Sequence, residues 1–295
     1  MENIVGRIWT RLGMMKLLNF VPNKVYLKIA YFLINHKKLN LHNPKTFSDK
    51  LNWLKLYYRD ENYYKIVDKA EFKAFVDEKI GSGYTVKTYY IYDSVDKINF
   101  EELPNSFVIK CTHDSHSVFI IKNKNNINKK KILVSLKKHM KKNLYYYAKE
   151  WPYKKVKPRI IVEELLNPSS NDTFLIDYKW FCFNGEPRIM YLGKDAGDNP
   201  KSAFFDMEYK KIDMKGVDPL MEEIPPMPSH FEEMKDISRK LSKGMPHVRV
   251  DFYIDSNDKL YVGEMTFFHS AGLGRFTPED KELLMGNFIK LPQKK

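Results

Sequence analysis

Apolar and polar positions change rhythm along this chain near residue 85. Before that point the spacing is mainly helical. Asn43-Pro44 breaks the pattern, and Thr46 with Asp49 can open a helix whose apolar contacts come from Leu51, Trp53, Leu54 and Leu56. A second helix is expected from about Tyr63 to Ile80, stopped by Gly81-Ser82-Gly83. After it the apolar residues come in short runs. SFVIK (106–110) and VFIIK (118–122) flank a polar loop, and a lysine-rich helical segment leads to RIIVEELL (159–166). DYKWFCFNGEPRIMYLGK (177–194) reads as a hairpin turned at Asn184-Gly185. A Pro-rich connection, EIPPMPSH, precedes a helix near 230–243. Then come VRVDFYIDSNDKLYVGEMTF (248–267), the loop HSAGLGRF and a last helix. No internal repeat is visible. Helices mixed with several hairpins predict an α+β fold rather than a doubly wound parallel sheet.

The 248–267 stretch raises a chemical question. With Asn257-Asp258 as a two-residue turn, Ser256 pairs with Lys259 and Ile254 faces Tyr261. Val250 then faces Met265, and Val248 faces Phe267, which makes one apolar face. The other face sets Arg249 opposite Thr266 and Asp251 opposite Glu264. Facing carboxylates repel, so a positive partner is expected between them. Arg249 is one; Mg²⁺ shared with phosphate oxygens is another. A solvent-facing hairpin with ordinary acids is the plain alternative. A turn one residue longer would send the two acids to opposite faces.

Composition narrows the classes. The chain has 295 residues, enough for one large or two modest domains, and the 19 Tyr and 19 Phe argue against disorder. Two cysteines, Cys111 and Cys182, without metal-type spacing exclude a disulfide framework or a structural zinc site and fit a reducing cytoplasm. No apolar run is long enough to span a bilayer. The basic, amphipathic start lacks the cleavage site of a signal peptide. It reads either as an interfacial helix touching anionic lipid or as a helix packed on its own domain. The expected location is therefore the cytoplasm, with peripheral contact to the inner membrane face left open. A net charge of +13 favours an anionic partner. Lysines interleaved with aromatics between Lys122 and Lys155 suggest single-stranded nucleic acid. However, Ile132, Leu133, Leu136, Met140 and Leu144 recur at helical spacing, so these lysines read as a solvated face and nucleic acid is disfavoured.

Four stretches can carry chemistry. Lys110 ends a buried strand and runs into CTHDSHS, whose backbone N–H groups can cradle phosphate with the lysine as point charge. RIIVEELL ends in Glu163-Glu164, able to present hydrogen bonds to an adenine or ribose edge. In DYKWFCF, Asp177, Lys179, Phe181 and Phe183 share a face. In HSAGLGRF, Gly272 and Gly274 permit close backbone approach and Arg275 can fork onto a phosphate or carboxylate. Each stretch is also readable as plain structure.

Their order is strand lysine, polar loop, glutamate-ended strand, basic hairpin, then Arg-x-Asp and Glu-x-Thr on paired strands. That order resembles the ATP-grasp superfamily. NPKTFSDKLNWLKLY, VDKAEFKAFVDEKIG, LPNSFVIKCTHDSHS, IIVEELL, DYKWFCFNGEP and VRVDFY…YVGEMTFFHSAGLGRF, closing with IKLP, look like its TupA-like (teichuronopeptide-biosynthesis) branch. They fall between about residue 38 and residue 292. The resemblance implies an N-terminal helical region (1–85), a small subdomain (86–160) and a large subdomain with the Mg²⁺ site (161–295). The two subdomains would grip ATP. It implies that Lys110 binds the ATP phosphates under a covering loop with His113, Ser115 and Ser117. Glu163 and Glu164 would line the adenosine pocket, and Lys179 would contact phosphates. Asp251 and Glu264, with the Thr266 hydroxyl, would hold Mg²⁺, and Arg249 would stabilise the transferring phosphate. The implied activity is an ATP-dependent carboxylate–amine ligase in bacterial surface-polysaccharide assembly. Its partners would be an anionic glycan or lipid-linked sugar precursor and an amine or amino acid. Two departures stand out: the covering loop reads HDSHS where glycines are usual, with Asp114 and His116 in their place, and Thr266 stands where many relatives have Asn. A non-catalytic nucleotide- or glycan-binding relative and a glycosyltransferase are the alternatives, although the latter lacks a convincing Asp-x-Asp motif.

Overall fold

The computed structural model describes residues 4–115, 117–168, 174–194 and 199–293. His116 lies outside them. The helical opening comprises α1 (Ile4–Met14), α2 (Asn23–Asn35), α3 (Phe47–Tyr57), α4 (Tyr63–Ile66) and α5 (Glu71–Ile80). At α3 the Thr46 hydroxyl accepts from Asp49 N while the Asp49 carboxylate accepts from Thr46 N, a complete capping box. The single helix expected over 63–80 is instead two. Asp68 Oδ1 accepts from Ala70 N at 2.9 Å, and Lys69 N leaves the helical ladder to donate to Thr112 O at 3.1 Å. This Asx turn, backed by a bond to a distant strand end, breaks the helix at Lys69.

Two antiparallel sheets follow. In the first, β1 (Thr88–Tyr92), β2 (Phe107–Cys111), β3 (Phe119–Ile121) and β4 (Ile160–Glu163) lie in the order β1-β4-β2-β3. Since β4 sits inside this sheet, the small unit runs to Glu163, and a boundary at residue 160 would cut the strand. Between β3 and β4 come α6 (Lys129–Met140) and α7 (Tyr145–Ala148). Ile132 and Leu136 of α6 are buried with Phe107, Ile109, Ile160 and Val162 in a core of their own. Leu144 falls beyond the end of α6 and does not extend its apolar stripe.

The second sheet has the order β10-β9-β5-β6-β7-β8. Its members are β5 (Asp177–Phe183), β6 (Glu186–Lys194), β7 (Lys201–Phe205), β8 (Lys211–Ile212), β9 (His247–Ile254) and β10 (Leu260–Thr266). Asn184 and Gly185 turn β5 into β6 with φ of 52° and 85°, left-handed values that an Asn-Gly pair tolerates. Helix α8 (Phe231–Ser242) packs against this sheet, and α9 (Glu279–Phe288) packs against α3. The helical start is not a separate unit, because it shares the core of the larger sheet. The Phe47 ring lies 5.0 Å from His247, 6.3 Å from Phe181 and 5.6 Å from Phe276. The two sheets meet along 84–87, where Tyr84 O accepts from Val262 N at 2.7 Å and Lys87 O accepts from Glu164 N at 2.9 Å.

The β9–β10 hairpin corrects the expected turn. Ile254 pairs with Leu260 rather than Tyr261, and Ser256 does not pair with Lys259. Asp255 Oδ1 accepts from Asn257 N and Lys259 N, which organises a longer loop with Asp258 at φ 56°. A bulge between Val262 and Glu264 then takes up one residue. Beyond it Glu264 pairs with Asp251, Met265 with Val250 and Thr266 with Arg249.

Candidate functional site

A cleft of about 220 Å³ lies where the sheets meet, with Lys110 and Glu163 from one side and Glu264 from the other. Lys69 and Lys73 enter from the broken helix between them, and Ser115 sits at the rim. Glu163 is 4 % exposed, and its two oxygens take Lys73 Nζ and Lys110 Nζ, each at 2.5 Å. Lys73 also donates to Thr88 Oγ1 at 2.6 Å. Burial alone would push the Glu163 carboxyl up, but Lys110 and Lys73 outweigh it and hold it below the usual carboxylate range. Lys69 Nζ donates to Asp114 O at 2.7 Å and reaches Glu264 Oε2 at 4.0 Å. Burial lowers the affinity of both Lys69 and Lys73 for their protons, with Glu264 and Glu163 respectively opposing.

Behind Glu264 a second cluster fills the face of β5, β9 and β10. Arg249 forks onto Asp251, Nε to Oδ1 at 2.7 Å and Nη2 to Oδ2 at 2.5 Å. Its Nη1 meets His269 Nδ1 at 2.8 Å, and its Nη2 reaches Thr266 Oγ1 at 3.2 Å and Glu264 Oε1 at 3.6 Å. Lys179 lies between Asp177 (2.7 Å) and Asp251 (3.9 Å), and its backbone pairs with Asp251 across the ladder. The two facing acids are held differently. Burial raises Asp251 to about 6 against the pull of Arg249 and Lys179. For Glu264, burial is overcome by Lys69 and Arg249, and the carboxyl is held below its ordinary value. Asp251 is 1 % exposed, whereas the Glu264 side chain is 41 % exposed and lines the cleft. Glu264 thus joins the lysine cluster to the arginine cluster.

These donors fit a magnesium–nucleotide pair. Two carboxylates on adjacent strands are hard oxygen ligands of the kind Mg²⁺ takes one or two of, completing its shell with water and phosphate. No group of three or more His, Cys, Asp or Glu side chains converges as a protein-only metal site among the described residues. Glu264 would hold the ion from the cleft, whereas Asp251, 1 % exposed and with both oxygens taken by Arg249, would join it only if that fork opened; the Thr266 hydroxyl lies near Arg249. Lys69, Lys73 and Lys110 line the same cleft and would hold a polyphosphate there.

Several expected residues lie elsewhere. His113 is buried with Nε2 against His139 O at 3.3 Å, so it faces α6 rather than the cleft. Ser117 Oγ accepts from Cys111 N at 2.9 Å and donates to Asp114 Oδ1, which commits the hydroxyl to bracing the loop. The Asp114 carboxylate also meets His139 Nδ1 and is turned inward, so it does not line the cleft. Of the three loop residues only Ser115 lines the cleft. Glu163 sits in the lysine cluster, while Glu164, one position on, is half-buried beside Tyr261. Arg275 reaches Tyr31 Oη and Glu279 instead of the cleft. Sequence reasoning missed Lys69 and Lys73. They stand one helical turn apart in VDKAEFKAF, next to the Asp68 that breaks the helix, and that spacing was the available signal.

Several solved structures are similar to this chain. The ATP-bound D-alanine–D-alanine ligase of Bacillus anthracis shares 18 % identity at a TM-score of 0.40, covering 68 % of this chain and 56 % of that one. D-alanyl-alanine synthetase A of Vibrio cholerae O1 biovar eltor shares 12 % at 0.42, covering 74 % and 62 %. N5-carboxyaminoimidazole synthetase of Staphylococcus aureus shares 14 % at 0.38, covering 77 % and 52 %. The chain therefore spans between about half and two-thirds of the length of these relatives. No curated protein sequence matches it. Residues 49–290 match the family described as TupA-like ATPgrasp, most of the chain, and the protein belongs to that family and has its ATP-grasp fold.

Proposed function

We propose that this protein is an ATP-dependent carboxylate–amine ligase of bacterial surface-polysaccharide biosynthesis. The observation that supports this most is the single cleft in which Lys69, Lys73 and Lys110 face Glu264 and, behind it, Asp251. Bound Mg·ATP would supply its terminal phosphoryl group to a carboxylate oxygen, leaving ADP. An amine would then attack the acyl carbon of the resulting acyl phosphate, forming the amide and releasing inorganic phosphate. The three lysines bind and orient the phosphate chain as point charges that need no proton transfer. Ser115 lies at the cleft rim, where a loop covering the phosphates would need a donor. Arg249 carries a charge stabilised by Asp251 and stands 3.6 Å from Glu264, where it can offset negative charge developing on a transferring phosphoryl oxygen. Lys179, on the neighbouring strand, adds to Arg249 in opposing the burial that raises Asp251. With a net charge of +13, the carboxylate donor we favour is an anionic glycan or lipid-linked sugar acid, and the acceptor an amino acid or another amine.

ADP release measured over a panel of sugar acids and amino acids tests the reading, alongside Mg·ATP calorimetry. Substrate-dependent ADP release, lost in Glu264→Gln with the fold intact, is expected. Turnover unchanged in that variant would overturn the assignment. Saturable ATP binding without turnover on any pair would instead favour a nucleotide-binding relative.

A further inference from the structure

Helix α1 fully buries only small residues and leaves Ile4, Val5 and Ile8 exposed, while Trp9 packs against Tyr26. Its buried positions are Gly6, Thr10 and Gly13. A Cβ on Gly6 would lie 2.6 Å from Ile34 Cγ1, and one on Gly13 would lie 2.1 Å from Tyr26 Oη and 2.7 Å from Tyr146 O. Close approach to α2 and α7 therefore requires glycine on the inner face; Trp9 packs beside it against Tyr26, and Ile4 and Ile8 point away. At about 100° per residue, Ile4, Ile8 and Met15 fall within about 40° of one another, opposite the Gly6–Thr10–Gly13 stripe. Ile4 is 69 % exposed and Ile8 51 %. The turn after the helix adds Leu17 and Phe20, the latter 82 % exposed, and α2 adds Val25 and Phe32. An apolar stripe this bulky on the solvent side of a helix is not explained by the fold, whose own packing uses the other face.

The charge around this stripe selects its partner. Arg7, Arg11, Lys16, Lys24 and Lys28 are all exposed. From Ile4 to Asn35 the sequence contains these five Lys and Arg and no Asp or Glu, a net charge of +5 over the stretch. A two-fold contact with a second copy would set these cations against their own kind. An anionic bilayer answers both features: acyl chains take the apolar side chains, and headgroups take the lysines and arginines. Half-buried Tyr145 and Tyr146 stand on α7 beside α1, a residue type suited to the headgroup level. No helix among the described residues is long and apolar enough to cross a membrane, so the contact would lie along the surface.

We propose that α1, the 15–20 turn and the outer edge of α2 form a docking surface for a membrane rich in anionic lipid. The proposal does not rest on the ATP-site reading, and its test does not use catalysis. The full chain is sedimented with sucrose-loaded vesicles of phosphatidylcholine alone or mixed with phosphatidylglycerol, beside the double variant Ile8→Glu/Phe20→Glu. Both positions are exposed, and circular dichroism checks that the variant is folded. The wild-type protein should sediment with the mixed vesicles far more than with the neutral ones. The variant's bound-to-free ratio should fall about tenfold or more. No sedimentation of the wild-type chain would overturn the proposal. So would equal binding by the variant, which would assign any attraction to the lysines of α6. A dimer seen by light scattering and abolished by the variant would assign the face to a second copy, and would also overturn it.

Discussion

Glu163→Gln tests how the lysine cluster is held. The wild-type carboxylate neutralises Lys73 and Lys110 at 2.5 Å each while only 4 % exposed. The amide keeps the shape but leaves two ammonium groups, with side chains 17 % and 20 % exposed, without their counterion. Breaking a buried pair from one side costs about 3–5 kcal/mol, and the residual solvent access of both lysines points to the lower end, about 3 kcal/mol. At about 2.1 cal/mol/K per residue near 60 °C, the 295 residues give an unfolding entropy of about 0.6 kcal/mol/K. The expected fall in Tm at neutral pH is then about 5 °C. The pH dependence has a fixed sign. Because the folded pKa of Glu163 is held below its unfolded value, its contribution is complete above the unfolded value of about 4.3 and is lost as pH falls through the folded one. The Tm gap between wild type and variant should therefore close below about pH 4. Inorganic tripolyphosphate supplies a second reading in differential scanning calorimetry. In the variant it meets lysines with no competing carboxylate, so it should raise Tm at lower concentration than in wild type; saturation at 100 Kd is worth about 2.7 kcal/mol. Equal Tm values at neutral pH, or equal tripolyphosphate responses, would refute the idea that Glu163 is the counterion of a phosphate-binding cluster.

Two other perturbations bear on separate parts of the fold. His247 is buried among Phe47, Phe181 and Phe183, with Nδ1 donating to Cys182 O at 2.8 Å, and burial depresses its pKa to about 3. A folded value below the unfolded 6.5 means stability is lost as pH falls below 6.5, by about 2 kcal/mol at pH 5. His247→Phe should flatten urea-unfolding stability against pH between 6.5 and 5, and an unchanged slope would reject the assignment. Asp114→Gly, the change a glycine-rich covering loop suggests, removes the carboxylate that joins Ser117 and His139. Losing those charge-assisted bonds should weaken Mg·ATP binding about tenfold by calorimetry, whereas tighter binding would show that the aspartate repels the nucleotide.

How much of this was readable in advance depended on whether a feature is local. The Thr46–Asp49 capping box and the Asn184-Gly185 turn are chemistry within four residues, and both formed as expected. The helix break at Lys69 needed Thr112, more than forty residues away, to take its N–H, so nothing local in the sequence singled out Lys69 and Lys73. The inward turn of Asp114 likewise depends on His139 of α6. The acid pair is the instructive case, because the pairing was right although the turn was wrong. Asp255 holds a loop longer than two residues, which by itself would have slipped the register and sent Glu264 to the other face. Val248, Val250 and Phe252 on one strand, Met265 on the other and Phe267 just after it all demand burial together. A slipped hairpin would have exposed one set, so the chain absorbs the extra residue in the bulge at Gly263 instead. That position lines the cleft, with the Tyr253 ring so close that a Cβ there would stand 2.3 Å from it. The demand for a continuous apolar face is thus what sets Asp251 opposite Glu264, and the irregularity it forces falls at the edge of the site, where a packed side chain was not needed.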